Sequence, residues 1–141
     1  MVGTLAIIAA ALFTGAAVYI NVAEQPARLR LPEPAMLTQW KASYARAAVM
    51  QASLALAGGL LGLLESMGSE DWLWALGAIV LLSAWPYTLL LIKPTNDKLN
   101  ATQPDAATAE TRRLVETWGR LHAGRSGIGA IATILYLLAV S

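Results

Sequence analysis

The chain has 141 residues, of which 57% are hydrophobic and only 13% charged, with a mean hydropathy of +0.55 and a net charge of +1. Soluble domains carry about 25% charged residues, so this composition describes a membrane protein and leaves no room for a large soluble catalytic domain. The absence of cysteine excludes disulfides, thiolate metal sites, iron–sulfur clusters and cysteine nucleophiles, and the near-zero net charge gives no field to collect nucleic acid.

A bilayer span needs about 20 apolar residues, so this length predicts an all-α, four-transmembrane-helix bundle in a single domain. The first span is expected over residues 3–23. Its basic residues, Arg28 and Arg30, follow the apolar stretch instead of preceding it, so it reads as a retained helix and not as a secretory signal. Prolines 26, 32 and 34 then disfavour a continuous helix. A second helix is predicted to start near Pro34, with its membrane portion inside residues 36–64. Trp40, Lys41, Tyr44 and Arg46 give it an interfacial first part, and an uncharged stretch from Ala47 to Leu64 contains Gln51 and Ser53. Gly58 and Gly62, one turn apart, are expected to allow close packing inside the bundle.

Residues 66–71 read as a tight turn with Ser69 as the N-cap of a third span over 72–92. Pro86 predicts a kink within it, with Trp72 and Trp74 at one interface and Trp85 and Tyr87 deeper. Lys93 to Ala107 is expected to be a loop. The fourth helix, 111–140, has Asp105 or Thr108 as its N-cap. Only about 14 of its residues, Gly127 to Val140, are fully apolar, so part of the polar segment bearing His122 and Arg125 must enter the bundle and face protein or a cavity.

All ten basic residues fall on or near the side that holds the 1–2 and 3–4 connections, while the 2–3 connection holds only Glu65, Glu70 and Asp71. The positive-inside rule then places both termini outside and both long connections in the cytoplasm, in a plasma (bacterial inner) membrane. The sequon Asn100-Ala-Thr102 would face the cytoplasm and stay unglycosylated.

Polar residues gather at that end at helical spacing. Asn21, Gln25 and Arg28 lie near one face of the first helix, with Glu24 adjacent and placed to pair with Arg28. Trp118, His122 and Arg125 form a stripe on the fourth. Trp40 and Tyr44 come from the second, and Trp85, Tyr87, Thr95 and Asn96 from the third and its connection. The ordinary alternative is a set of interface anchors, with snorkelling arginines and an aromatic belt. The group instead reads as a cytoplasm-facing ligand pocket because buried ionisable residues are costly in a membrane.

His122, Glu24 and Arg125 are the candidate catalytic residues, with Asn21, Gln25, Arg28, Trp40, Tyr44, Trp85, Asn96 and Trp118 as candidate ligand contacts. No metal, haem or nucleotide motif is present, so no cofactor is expected.

The segments Tyr19-Ile-Asn-Val-Ala-Glu-Gln-Pro-Ala-Arg28, Trp40-Lys-Ala-Ser-Tyr44, Pro94-Thr-Asn-Asp-Lys-Leu99 and Trp118-Gly-Arg-Leu-His-Ala-Gly-Arg125 resemble the anthrone oxygenase-like family of small four-helix membrane proteins. Where some members of that family carry histidine after the first-helix glutamate, this chain has Gln25. The resemblance implies oxidation of an apolar aromatic or quinone-like molecule without an evident organic cofactor. In that reading His122 or Glu24 removes a proton and Arg28 or Arg125 stabilises the anion. The competing expectations are a non-catalytic binder of lipid or another hydrophobe, a proton-coupled exporter built on Glu24, and a structural subunit. Membrane lipids and a small apolar ligand are the partners expected, and a homo-oligomer is compatible with the sequence.

Overall fold

The first apolar stretch, rich in Ala, Ile and Leu, must satisfy every backbone group within itself if it lies in lipid, and a helix does so. The computed structural model describes residues 1–141 and is all-helical, without strands. Four helices are long and apolar enough to cross a membrane: α1 Val2–Arg28, α2 Glu33–Gly68, α3 Leu73–Ala101 and α4 Ala109–Val140. They pack in a ring, each against its neighbours in chain order, with α1 closing on α4.

Two of the helices contain a widened, π-helical turn: Ile20–Glu24 in α1 and Thr88–Ile92 in α3. Each lies just before a proline, Pro26 and Pro94, and ends on an i→i+5 bond: Gln25 N–H to the Ile20 carbonyl, Lys93 N–H to that of Thr88. Proline cannot donate to the turn behind it and its ring crowds that turn; the widened turn accommodates both effects. This corrects the expected loop at Lys93–Ala107, because α3 runs on through Pro94 to Ala101. An i,i+4 Lys93–Asp97 pair at 2.6 Å and the burial of Leu99 accompany the extension. Only a short turn at Pro104–Ala106 separates α3 from α4.

Elsewhere the local chemistry sets the ends. Thr108, and not Asp105, caps α4 through a reciprocal box with Thr111. The Asp71 carboxylate accepts the Leu73 N–H at 2.8 Å, while the Ser69 hydroxyl accepts only from Asp71, so the cap expected of Ser69 passes to Asp71. Glu65 extends α2 past the expected end and accepts the Gly3 N–H at 2.7 Å, placing an acid at the start of α1. At Pro86 the helix turns at Ser83; the Ser83 and Thr88 hydroxyls donate to the carbonyls of Val80 and Ala84.

The helices run 27 to 36 residues, about 40–54 Å, against roughly 30 Å of hydrocarbon, so they project beyond it. Two buried clusters result. One consists mainly of small residues with Phe13, Trp74, Leu81 and Tyr136, inside a surface of exposed Leu, Ile and Val. Gly58, Gly62 and Gly77 belong to its close contacts: added side-chain carbons there would meet Leu81 or Tyr136 at 2.0–2.7 Å. The glycine pair of α2 therefore packs within the bundle, as its spacing predicts, and Tyr136 donates to the Gly58 carbonyl at 3.0 Å. The other cluster, at the pole where α1 passes to α2 and α3 to α4, holds Met36, Leu37, Trp40, Ile92, Leu99, Val115 and Trp118.

Candidate functional site

Between these clusters lies a polar layer. Its centre is a cavity of about 20 Å³ whose lining includes Tyr44 and Gln51 from α2, Asn96 from α3, and Trp118, His122 and Arg125 from α4. That volume admits about one water-sized molecule. The widened turns bring in Ile20 on one side and Thr88 and Ile92 on the other.

Each ring in the layer is fixed by a neighbour. Tyr44 stacks on Trp40 at 4.8 Å and 5°, His122 stacks on Trp118 at 4.8 Å, and the two indoles meet edge to face at 5.8 Å. The Trp118 indole donates to Asn96 at 2.9 Å. Asn21 sets the imidazole. Its amide N–H donates to the Gly119 carbonyl at 2.8 Å, which orients its oxygen toward His122 Nδ1, 3.0 Å away, and toward the Ser126 hydroxyl at 2.9 Å. A carbonyl oxygen only accepts, so Nδ1 carries the hydrogen and Nε2 is the nitrogen left for an occupant of the cavity.

Arg125 is 8% exposed and has neither an acidic partner nor a hydrogen bond; its guanidinium lies 5.3 Å from the Phe13 ring centre. The amide of Gln51 is likewise buried and unpartnered at both atoms. Buried polar groups are nearly always satisfied, so two adjoining unsatisfied ones on one cavity mark a place for a polar occupant.

The structure separates the remaining expected residues from this cavity. Glu24 pairs with the buried Arg28 and also accepts from Ser43 and, at 3.1 Å, from Gln39. It faces a surface groove with Tyr19, Gln39 and Arg46, and Ser43 forms the wall between that groove and the cavity. Arg28 lies 5.4 Å from the Trp118 ring. Gln25 donates to the Val115 carbonyl at 2.7 Å and fills the space over Gly119, tying α1 to α4. Trp85 is half exposed on the membrane side of α3 and donates to the Ala52 carbonyl at 3.3 Å. Tyr87, which donates to the Leu121 carbonyl at 2.8 Å, and Thr95 do not line the cavity. No group of three or more His, Cys, Asp or Glu converges anywhere in the bundle.

Gln51, Ser43 and Thr88 are cavity residues that the sequence reading did not single out. The available signal was a lone glutamine in an otherwise apolar span. A second signal was repetition. Tyr19 and Pro26 are spaced as Tyr87 and Pro94 are, with Arg28 matching Asn96, and Trp40-x-x-x-Tyr44 parallels Trp118-x-x-x-His122. The two widened turns fall at equivalent places in this repeat.

The sequence model of the anthrone oxygenase family matches residues 40–135, which include the cavity residues of α2, α3 and α4. The chain belongs to that family. No curated protein and no solved structure matches it. Membership covers Trp40, Tyr44, Asn96, Trp118, His122 and Arg125, whereas Asn21, Glu24, Gln25 and Arg28 lie outside the matched segment.

Proposed function

We propose that this protein is a membrane-embedded oxygenase-like oxidoreductase acting on a small apolar aromatic or quinone-like molecule. The observation that carries this reading is the pairing of an uncompensated buried Arg125 with a His122 whose Nε2 is free, on one cavity. A buried cation without a counterion favours an anionic occupant, and it favours most an anion formed only during reaction.

For an anthrone-like substrate, the proton of the ring methylene passes to His122 Nε2 by way of the one water-sized molecule the cavity admits, and the negative charge moves onto the oxygen, where Arg125 stabilises it. Dioxygen then adds at the carbon, and loss of water from the resulting hydroperoxide leaves the second carbonyl. One anthrone and one O2 give one anthraquinone and one water, so no external reductant is needed. In this scheme Asn21 positions His122, Trp118 and Trp40 support the rings, and Glu24, already accepting from three donors, holds Arg28 in place. By the positive-inside rule, the basic residues around the α1–α2 and α3–α4 connections favour a cytoplasmic position for that pole, in a plasma membrane.

The test is oxygen uptake and anthraquinone formation with anthrone as the probe, in purified protein reconstituted in lipid. His122→Ala is expected to lower turnover by about 10²–10⁴-fold while folding is retained. Equal turnover in wild type and His122→Ala overturns the assignment. If wild type binds the probe but leaves it unoxidised, the same site serves a non-catalytic binder of hydrophobes.

A further inference from the structure

The cavity beside His122 is too small for any aromatic ring, yet Arg125 also borders a second space. Between α2 and α3 lies a crevice of about 160 Å³, floored by Tyr44 and Arg125 and walled by Ala48, Ala52, Ala84, Trp85, Thr88 and Leu89. Tyr44, Ala48, Thr88 and Arg125 line both spaces, so the two are neighbours across one thin partition. The crevice opens on the lipid-facing side, where Trp85 is 42% and Leu89 54% exposed among Leu90 and Leu91. Its width comes from the alanines at 48, 52 and 84, which occupy positions where larger side chains would close it. Trp85 is held aside by its bond to the Ala52 carbonyl.

We infer that the organic ligand is a planar aromatic bearing an ionisable oxygen, that it enters laterally from the bilayer through the α2–α3 crevice, and that it seats with this oxygen toward Arg125. The inner cavity then holds only a water-sized partner, of which dioxygen is one. This inference rests on the aromatic ligand proposed above and adds where the ring sits and from which phase it comes. Charge complementarity selects the occupant. A lipid tail would fill the apolar walls and leave the guanidinium unpaired, whereas a phenol or enol brings an acidic oxygen to it.

The test is equilibrium binding of 1-hydroxyanthraquinone to the full-length protein in lipid nanodiscs, read by the induced circular dichroism of its visible band. Wild type and Ala57→Leu, which lies on the exposed face of the same helix, are expected to bind it saturably. Ala52→Leu and Ala48→Val, which fill the crevice from different depths, are expected to weaken binding at least about tenfold. Arg125→Gln is expected to keep the neutral phenol but lose the preference for its anion, seen as a rise in the bound dye's ionisation pH. Absence of saturable binding to wild type, or undiminished binding to a folded Ala52→Leu or Ala48→Val protein, overturns the crevice. If those variants oxidise anthrone normally while His122→Ala does not, the crevice falls and the oxidation reading stands. If wild type binds and the filled variants do not, yet no protein consumes oxygen, the crevice stands and the oxidation reading falls.

Discussion

The two halves of this bundle are held by different forces. In the membrane half the core is largely alanine, with glycines at the contacts, and large apolar side chains point outward. At the pole beyond it the core contains no alanine and is built from Met, Leu, Ile, Val and two tryptophans. Lipid offers helices no hydrophobic reason to associate, so small residues that allow close backbone approach do the packing there. Where water returns, burial of large side chains again stabilises, at roughly 25 cal/mol per Å². The polar cavity lies at the junction, where neither rule holds fully.

Substitutions sharpen that contrast, and the largest effect belongs to a glycine in the alanine-rich core. Gly62→Val is expected to abolish folding, since even a Cβ there would lie 2.0 Å from the Tyr136 hydroxyl; failure to recover a monodisperse protein in detergent checks it. Trp40→Ala empties the core of the polar pole and is expected to cost about 3–5 kcal/mol, read as a lowered unfolding midpoint. Arg112 ties the turn between α1 and α2, donating to the Leu29 and Leu31 carbonyls at 2.6 Å and to Glu33 at 3.0 Å. Arg112→Ala is expected to cost about 2 kcal/mol and to speed hydrogen exchange in that turn. The Thr14–Thr133 contact between α1 and α4 is expected to contribute only about 0.6 kcal/mol, measured by a double-mutant cycle with valine. The exposed Lys93–Asp97 pair is smallest, and Lys93→Ala should shift stability by at most about 0.5 kcal/mol.

Much of the fold was legible because lipid simplifies the code. Uncharged stretches of about span length located the first three helices, and the short apolar end of α4 required His122 and Arg125 to enter the protein, where both are buried. The end of α3 was misread because Pro94, Asn96 and Asp97 have the composition of a turn; a widened turn that absorbs a proline leaves no mark in hydropathy. Of the residues expected at the site, Tyr44, Asn96, Trp118, His122 and Arg125 line one cavity, and the others do not. Helical spacing put Trp118, His122 and Arg125 on one stripe, yet it could not say that Glu24 and Gln25 are spent on helix-to-helix bonds. Gln51 was overlooked because one amide inside a span is as easily a packing group as a cavity wall.

The repeated hairpin has an architectural consequence. Helices α1 and α3 run in one direction and α2 and α4 in the other, so two like hairpins relate by a half-turn about the membrane normal, with Trp40 and Trp118 touching near that axis. A perfectly symmetric bundle would present two identical half-sites. Here the equivalent positions differ where chemistry is concentrated: Tyr44 against His122, Ala47 against Arg125, Arg28 against Asn96. A chain assembled from two copies of the first hairpin would keep the stacked aromatics and the buried Gln51 amide but lose both the imidazole and the unpaired guanidinium, retaining the scaffold without its proton acceptor or its free cation.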